Sequence, residues 1–443
     1  MINKIKKNKR TKKYKGGSKR KLNTNKPFAD KDELEYALSQ YGSGKDEPRQ
    51  EIIDEYGDIS DWNVSRITNM EGLFRDKYTF NESIENWDVS KVTNMSEMFK
   101  NARAFNQPLE KWDVSNVEDM SEMFKNARAF NQPIEKWNVS NVKRMDYMFK
   151  KAIKFNQPLE KWDVSKVEYM DSMFEYAEKF NQPLEKWNIS SLKNTNRMFS
   201  YAENFNQPLE KWDISILYSL AYMFKHAKKF NQPLEKWNVS NVKNMDSVFE
   251  GAEKFNQPLE KWDVSKVEYM DNMFEGAEKF NQPLEKWNVS NVKRMNSMFR
   301  GATNFNQPIG KWDISNVEGM SNMLNKACNF DQNIDNFDLS NKSASRMLEN
   351  TPKFTNGKIL KLLPKNNLQI LKMILSDKDY KDFLVFFEKV KKERVDTINK
   401  KFEKSNKNVP EITNQITSYL GGRRKTKKRH LKNKQRKTRR SRK

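Results

Sequence analysis

The 443-residue chain has one cysteine, Cys328, and two histidines, His226 and His430. One cysteine forms no intramolecular disulfide. Two histidines so far apart in sequence cannot join it in a His/Cys metal site. Cys328 has no histidine placed to act as its base, so it reads as a near-core thiol. No glycine-rich loop lies between a strand-like and a helix-like stretch; YKGGSKRK (Tyr14–Lys21) is short and sits in a charged end. No apolar run approaches the ~20 residues that cross a bilayer. The first residues are basic with no apolar stretch after them, unlike a signal peptide. These absences lead to an expectation of a non-enzymatic protein with no cofactor, metal or membrane span, placed in the cytoplasm or nucleus of a host cell or in a virion.

Charge is abundant but uneven. Residues 1–26 hold 12 Lys/Arg and no acid, and residues 421–443 hold 14 and no acid, whereas the whole chain is +24. The body between them is therefore near neutral. Basic ends without apolar residues cannot bury a core and are expected to be disordered. The body differs: with 12% aromatic residues overall it has the means to build one.

Repetition dominates the body. FNQPLEKW stands at Phe105 and returns at Phe155, Phe180, Phe205, Phe230, Phe255 and Phe280, with FNQPIEKW at Phe130 and FNQPIGKW at Phe305. All 11 tryptophans sit 25 residues apart, from Trp62 to Trp312, and Phe337 takes the next place, giving 12 units without insertion or deletion. Such a period means a stacked array, because one unit cannot enclose its own apolar face. In the unit starting at Leu109, apolar and polar residues alternate around Trp112, which predicts a short strand. Val117, Met120, Met123, Phe124 and Ala127 are spaced like one face of a short helix. Phe130-Asn131-Gln132-Pro133 turns the chain. The reading is an α/β repeat solenoid of 12 coils, each a short strand plus a short helix, with Trp112, Phe130 and Asn131 forming ladders. The tryptophan column is read as core packing rather than as an aromatic ligand platform.

A second period lies inside the first. The residue after tryptophan alternates Asp113, Asn138, Asp163, Asn188, and five positions on the series runs Glu118, Lys143, Glu168, Lys193, Tyr218, Lys243, Glu268, Lys293. Strands in a stack lie ~4.8 Å apart, so a column of one sign would repel itself and alternation relieves it. A duplicated 50-residue unit explains the same pattern without stacking.

WDVSNVEDMSEMF (Trp112–Phe124) followed by FNQPIEKWNVSNV (Phe130–Val142) resembles the BspA-like leucine-rich-repeat proteins, abundant among mycoplasma surface lipoproteins. YGDISDWNVSRITNMEGLF (Tyr56–Phe74) looks like that family's first repeat and DKDELEYALSQY (Asp30–Tyr41) like its leading helix. The resemblance covers about residues 28–350. It implies a leucine-rich-repeat-like solenoid with a binding or adhesion role and no enzymatic activity. Bacterial members generally carry export signals or lipid anchors, which these residues do not present. KKYKGGSKRK (Lys12–Lys21) and YLGGRRKTKKRH (Tyr419–His430) resemble basic tails of proteins encoded by giant DNA viruses.

The expected organisation is a basic tail over 1–26, a helical cap over 27–56, the solenoid over 57–350, a helical cap over 351–420 and a basic tail over 421–443. Caps cover terminal coils that would otherwise expose apolar faces and edges. A dimerising or partner-binding helix is the alternative for the C-terminal segment. Tyr147, Tyr169, Tyr176, Tyr201, Tyr218, Tyr222 and Tyr269 cluster on or near the helix side of the middle coils, and tyrosine is favoured at binding hot spots. They are the candidate partner-binding residues. Arg423, Arg424, Lys425, Lys427, Lys428 and Arg429 are candidates for phosphate binding or nuclear import. The first reading is a scaffold for a protein partner. The second is a nucleic-acid-associated or packaging protein acting through its tails, and the third a surface adhesin. If alternation of charge relieves repulsion, Glu118→Lys combined with Glu168→Lys lowers the melting temperature, and added salt recovers more of that loss than it adds to the parent. An equal response of both proteins to salt would rule repulsion out.

Overall fold

In the computed structural model, which describes residues 26–403 apart from Ser43, Pro364 and Lys365, each 25-residue repeat closes one coil of a stacked solenoid. Between Met120 and Ala127 the backbone alternates its partners. The N–H groups of Met120, Glu122, Phe124 and Asn126 donate to the carbonyls of Arg144, Asp146, Met148 and Lys150 in the next coil, at 2.6–3.0 Å. Those of Met123, Lys125 and Ala127 donate to the carbonyl three residues back, at 3.0–3.2 Å. The carbonyls of Asp119, Ser121, Met123 and Lys125 accept from the preceding coil at 2.8–2.9 Å. A wall of stacked turns thus satisfies its own polar groups as a sheet would.

This geometry corrects the expected strand and helix. Around Trp112 the chain makes two tight turns, Trp112 N–H to the Leu109 carbonyl at 3.1 Å and Val117 N–H to that of Val114 at 2.9 Å. Those turns, rather than a pleat, send Leu109, Trp112, Val114 and Val117 inward. The helix-like spacing after Val117 arises because turns closed over three residues also bring every third side chain inward. No helix forms, since Glu122 and Asn126 adopt left-handed backbone, φ 57° and 59°, and reset the chain before a bond over four residues can close. The same pair of positions is left-handed in coil after coil. Sheet pairing reduces to a ladder of single parallel bridges, Asn69–Asn94–Asp119–Arg144–Tyr169–Asn194 and then Ser219–Asn244–Tyr269–Arg294–Gly319–Ser343. It lies where the sequence suggested the start of a helix. Among the described residues it is interrupted once within the array, between Asn194 and Ser219. There Thr195 replaces the usual methionine, fully buried with its hydroxyl unpartnered, which costs about 1–3 kcal/mol.

Side-chain ladders fill and bind the interior. Every tryptophan from Trp87 to Trp312 is buried and donates its indole N–H to the carbonyl 28 residues earlier, at 2.7–3.1 Å, as Trp112 does to Ile84. Phe124 stacks on Phe149 of the next coil at 5.7 Å and on Phe130 of its own at 3.9 Å. Phe130 in turn stacks on Phe155 at 5.9 Å. At the FNQP corner, Asn106 Oδ1 accepts from the Asn131 backbone N–H at 2.9 Å, and Gln132 Nε2 reaches the Asn106 carbonyl at 2.9 Å. The asparagine ladder forms as its repetition suggests, half-buried at the corner rather than in the dry interior.

Helices close both ends. Helix α1 (Lys31–Tyr41) is capped by Asp30, whose side chain accepts from the Glu33 N–H, and is followed by α2 (Asp46–Tyr56). Phe28 stacks on Tyr56 at 4.3 Å beneath Trp62. Lys26 bridges Glu33 and Glu55, and burial with the Glu33 hydrogen bond pushes the Tyr56 hydroxyl up to about 12. At the other end lie α3 (Asn356–Leu362), α4 (Leu368–Ile374) and α5 (Asp377–Glu403). The last coil donates Arg346 and Leu348 N–H groups to the carbonyls of Met373 and Ile374, both at 2.9 Å. Asn366 bonds Leu339 N–H and the Phe337 carbonyl. The edge that would template another chain is thereby covered.

Trp187→Phe keeps an aromatic ring in the column but strands the Leu159 carbonyl, which the indole meets at 3.0 Å. Chemical denaturation is expected to show a loss of about 1–3 kcal/mol; an unchanged midpoint would mean that the ring alone matters.

Candidate interaction face

The outward positions of the repeat fall into two classes. On one side the residue hardly changes. Every coil from Glu85 to Glu285 has glutamate at the Glu110 position, every coil from Lys111 to Lys311 has lysine next to it, and Ser115 is serine throughout. Each of these makes the same bond in each coil. Lys136 pairs with Glu110 at 2.9 Å and Lys161 with Glu135 at 3.0 Å, one coil back. Asp113 and Asn138 do not pair with each other along the stack. Each accepts the N–H of the serine two residues on, at 3.0 and 3.2 Å, and in the Asp163 coil the Ser165 hydroxyl, followed by the Ser165 N–H, holds the carboxyl below the usual range.

On the other side, between Asn116 and Ala129, the outward residues differ from coil to coil. The Asp119 position reads Arg144, Tyr169, Asn194 and Ser219 in the next coils, and the Asn126 position reads Lys151, Tyr176, Tyr201 and His226. Buried positions between them, such as Phe124 and Ala127, hold their identity. This strip is shaped by the turn wall and its left-handed residues, so its side chains project in parallel rows.

All seven tyrosines singled out from the sequence lie on this strip, although no helix carries them. Tyr169 and Tyr269 are bridge residues of the ladder. Tyr147 and Tyr222 take the first left-handed position of their coils, φ 59° and 62°, and Tyr176 and Tyr201 the second, φ 60° and 58°. Tyr218 directly precedes the ladder residue Ser219 and is 66% exposed. Tyr269 stands two coils further on. Most are interleaved with cations. Arg197 lies 4.3 Å from the Tyr222 ring, Lys125 5.0 Å from Tyr147, Arg144 5.2 Å from Tyr169 and Arg294 4.9 Å from Tyr269. Tyr176 and Tyr201 stack at 4.2 Å, and the row continues with Lys151 at 5.5 Å on one side and His226 at 4.6 Å on the other. Gly251 comes next, φ 66°, where a Cβ would fall 2.1 Å from His226 Nδ1. Glycine there lets the imidazole lie flat. Burial pushes His226 below its ordinary value, opposed by Glu250 at 3.8 Å.

Arg144, Arg197 and His226 were not picked out from the sequence as site residues. Aligning the coils at their tryptophans and asking which outward positions vary would have found them. Acidic residues also share the strip. Asp171 stacks beside Asp146 of the preceding coil, and burial followed by that like charge pushes it up to about 6. Arg144 holds Asp146 through two hydrogen bonds of 3.1 Å. Among the described residues no cluster of three or more His, Cys, Asp or Glu could hold a metal ion, and no helix is long and apolar enough to cross a membrane. Arg423, Arg424, Lys425, Lys427, Lys428 and Arg429 lie outside the described residues.

No curated protein matches the chain. The solved structures that are similar to it in part include the following two. The crystal structure of a TLR13–ssRNA13 complex matches at 10% identity and a TM-score of 0.23, over 56% of this chain and 49% of that one. The Toll–Spatzle complex of Drosophila matches at 12% identity and a TM-score of 0.24, over 67% of this chain and 43% of that one. The chain thus spans under half the length of either, and at TM-scores this low neither likeness says anything of shape or partner. A family model described as "Mycoplasma protein of unknown function, DUF285" matches in six overlapping stretches, residues 50–159, 109–212, 132–233, 185–271, 203–293 and 257–362. Together those stretches take in well over half of the residues, and the chain belongs to this family.

Proposed function

We propose that this chain is a non-enzymatic repeat scaffold that binds a protein partner through the variable strip between the Asn116 and Ala129 positions. The observation that supports it is the division of the outward residues. On the Glu110–Ser115 side the repeat hardly changes the residue at each position, whereas on the strip the residue changes along the stack even where, as in the Glu118–Lys143 pair, it joins two coils. Charge alternation within the stack accounts for the Glu118 column but not for the Asp119 and Asn126 columns, whose variety suits recognition of an irregular surface. The tyrosine and arginine content of the middle coils matches the composition of protein-binding hot spots. No reaction is assigned, since the carboxylates of the conserved side recur in coil after coil and are bonded to lysines or backbone. Contact is side-on, along the rows, as in other solenoids that use an extended face.

A second reading draws on composition. The 12 and 14 cations of residues 1–26 and 421–443 suit sequence-independent contact with phosphates. A viral origin is proposed from the resemblance of these tails alone. Under this reading the tails bind nucleic acid and the solenoid is a spacer.

One pair of variants separates the two. Tyr176→Asn with Tyr201→Asn installs the residue that the same left-handed position already carries at Asn101 and Asn126, so the fold is retained. Capture of partners from the native source is expected to fall at least about tenfold with an unchanged melting temperature. Deleting residues 1–26 and 421–443 should abolish DNA and RNA binding and leave that capture intact. Capture that survives the tyrosine changes and vanishes with the tails would overturn the scaffold in favour of the second reading.

A further inference from the structure

The charge alternation along the Glu118 column has one gap. Lys143 pairs with Glu118 at 2.7 Å, Lys193 with Glu168 at 2.5 Å and Lys293 with Glu268 at 2.5 Å. Between Lys193 and Lys243, where the pattern places a glutamate, stands Tyr218. Lys243 is left with Glu268 at 3.8 Å, an acid that Lys293 already holds more closely. The neighbouring column changes in the same coil. Asn116, Asn141 and Asn241 each donate to the serine carbonyl one coil back, at 2.7–2.8 Å. Ile216 occupies that position and has no group to do so.

Of the large apolar side chains exposed among the described residues, only Ile216 and Tyr218 stand two residues apart, 47% and 66% exposed with buried Leu217 between them. This is also the coil boundary at which the bridge ladder breaks and Thr195 is buried without a partner. Three departures from the repeat converge on one spot: a missing acid between two lysines, a missing polar bond, and an apolar pair in their place.

We infer that Ile216 and Tyr218, flanked by Lys193 and Lys243, dock an acidic segment of a protein partner, with an apolar side chain of that segment seated on the pair. This rests on the scaffold reading and names the chemistry of its partner. The partner's carboxylate occupies the place of the absent glutamate, where it meets Lys243 and Lys193. The adjacent apolar residue covers Ile216 and the Tyr218 ring, removing both from water. The two basic ends, residues 1–26 and 421–443, contain no acid and cannot supply that carboxylate.

A displayed library of random short peptides, selected on the full chain, tests this. Selected sequences are expected to place Asp or Glu beside an aromatic or aliphatic residue. Tyr218→Glu restores the column's own acid and should weaken the selected peptides at least about tenfold. Ile216→Asn restores the polar bond and should weaken them several-fold. Lys243→Glu leaves both apolar side chains in place and should give a loss comparable to that of Tyr218→Glu. Attraction to the basic ends is common to parent and variants and cancels in the comparison. Selected peptides that lack acids, or that bind Tyr218→Glu as tightly as the parent, overturn the inference. So does a library that yields no binder, or a self-association of the chain that Tyr218→Glu abolishes. Peptides retained by Tyr218→Glu but lost on Tyr176→Asn with Tyr201→Asn would end this inference while leaving the scaffold reading standing.

Discussion

Each coil depends on its neighbour to satisfy its backbone. The N–H groups of Glu122, Phe124 and Asn126 have no acceptor within their own coil; they reach Asp146, Met148 and Lys150 one coil on. The alternate N–H groups close turns that are too tight to extend into a helix. A single coil in isolation would therefore expose both unpaired polar groups and apolar rings, and neither cost is met until a second coil arrives. The indole bonds repeat the same dependence inside the core, since Trp112 donates to Ile84 across the coil boundary. Register, rather than intrinsic helix or strand preference, is what the repeat specifies.

That dependence explains why two sides of one solenoid behave so differently. A residue that bonds to its equivalent one coil away is constrained by both neighbours, so Asn131, Gln132 and the Glu110–Lys136 pairs recur almost unchanged. The turn wall carries a backbone ladder, and the side-chain bonds added to it, such as Asn126 to Asn101 and Lys143 to Glu118, differ from coil to coil. Its outward side chains can be replaced without disturbing the stack, provided that the two left-handed positions are filled by residues that tolerate them. Tyr176, Tyr201 and His226 show that large side chains do so when stacked on one another, and Gly251 ends the row. Variation is thereby confined to a strip where it does least harm to folding and most to change what the surface recognises.

Much of this was legible in the sequence. The tryptophan interval announced a stack, and the Asn131 repetition announced an amide ladder. The Glu118–Lys143 alternation announced cross-coil ion pairs, which form at 2.7 Å. What misled was periodicity within the coil. Val117, Met120, Met123 and Ala127 have the spacing of a helix, but a chain of three-residue turns buries side chains at the same interval. Only the left-handed residues distinguish the two, and Glu122 and Asn126 carry no glycine signal; glycine appears at the second position only at Gly251, Gly276 and Gly301. The candidate tyrosines were found by type, whereas their arginine neighbours emerged only when the rows were assembled. Ile216 looked ordinary in the linear sequence because its oddity lies in what its column does elsewhere.

The most direct test of coil-to-coil register is a single glycine inserted between Glu178 and Lys179, an exposed turn where a conventional loop would absorb it. If every coil relies on bonds exactly one repeat away, the insertion displaces the Asn181 ladder and the Trp187 indole against the preceding coil, and thermal unfolding loses its single transition or shifts markedly downward. An inserted protein that melts with the cooperativity and midpoint of the parent would contradict this account.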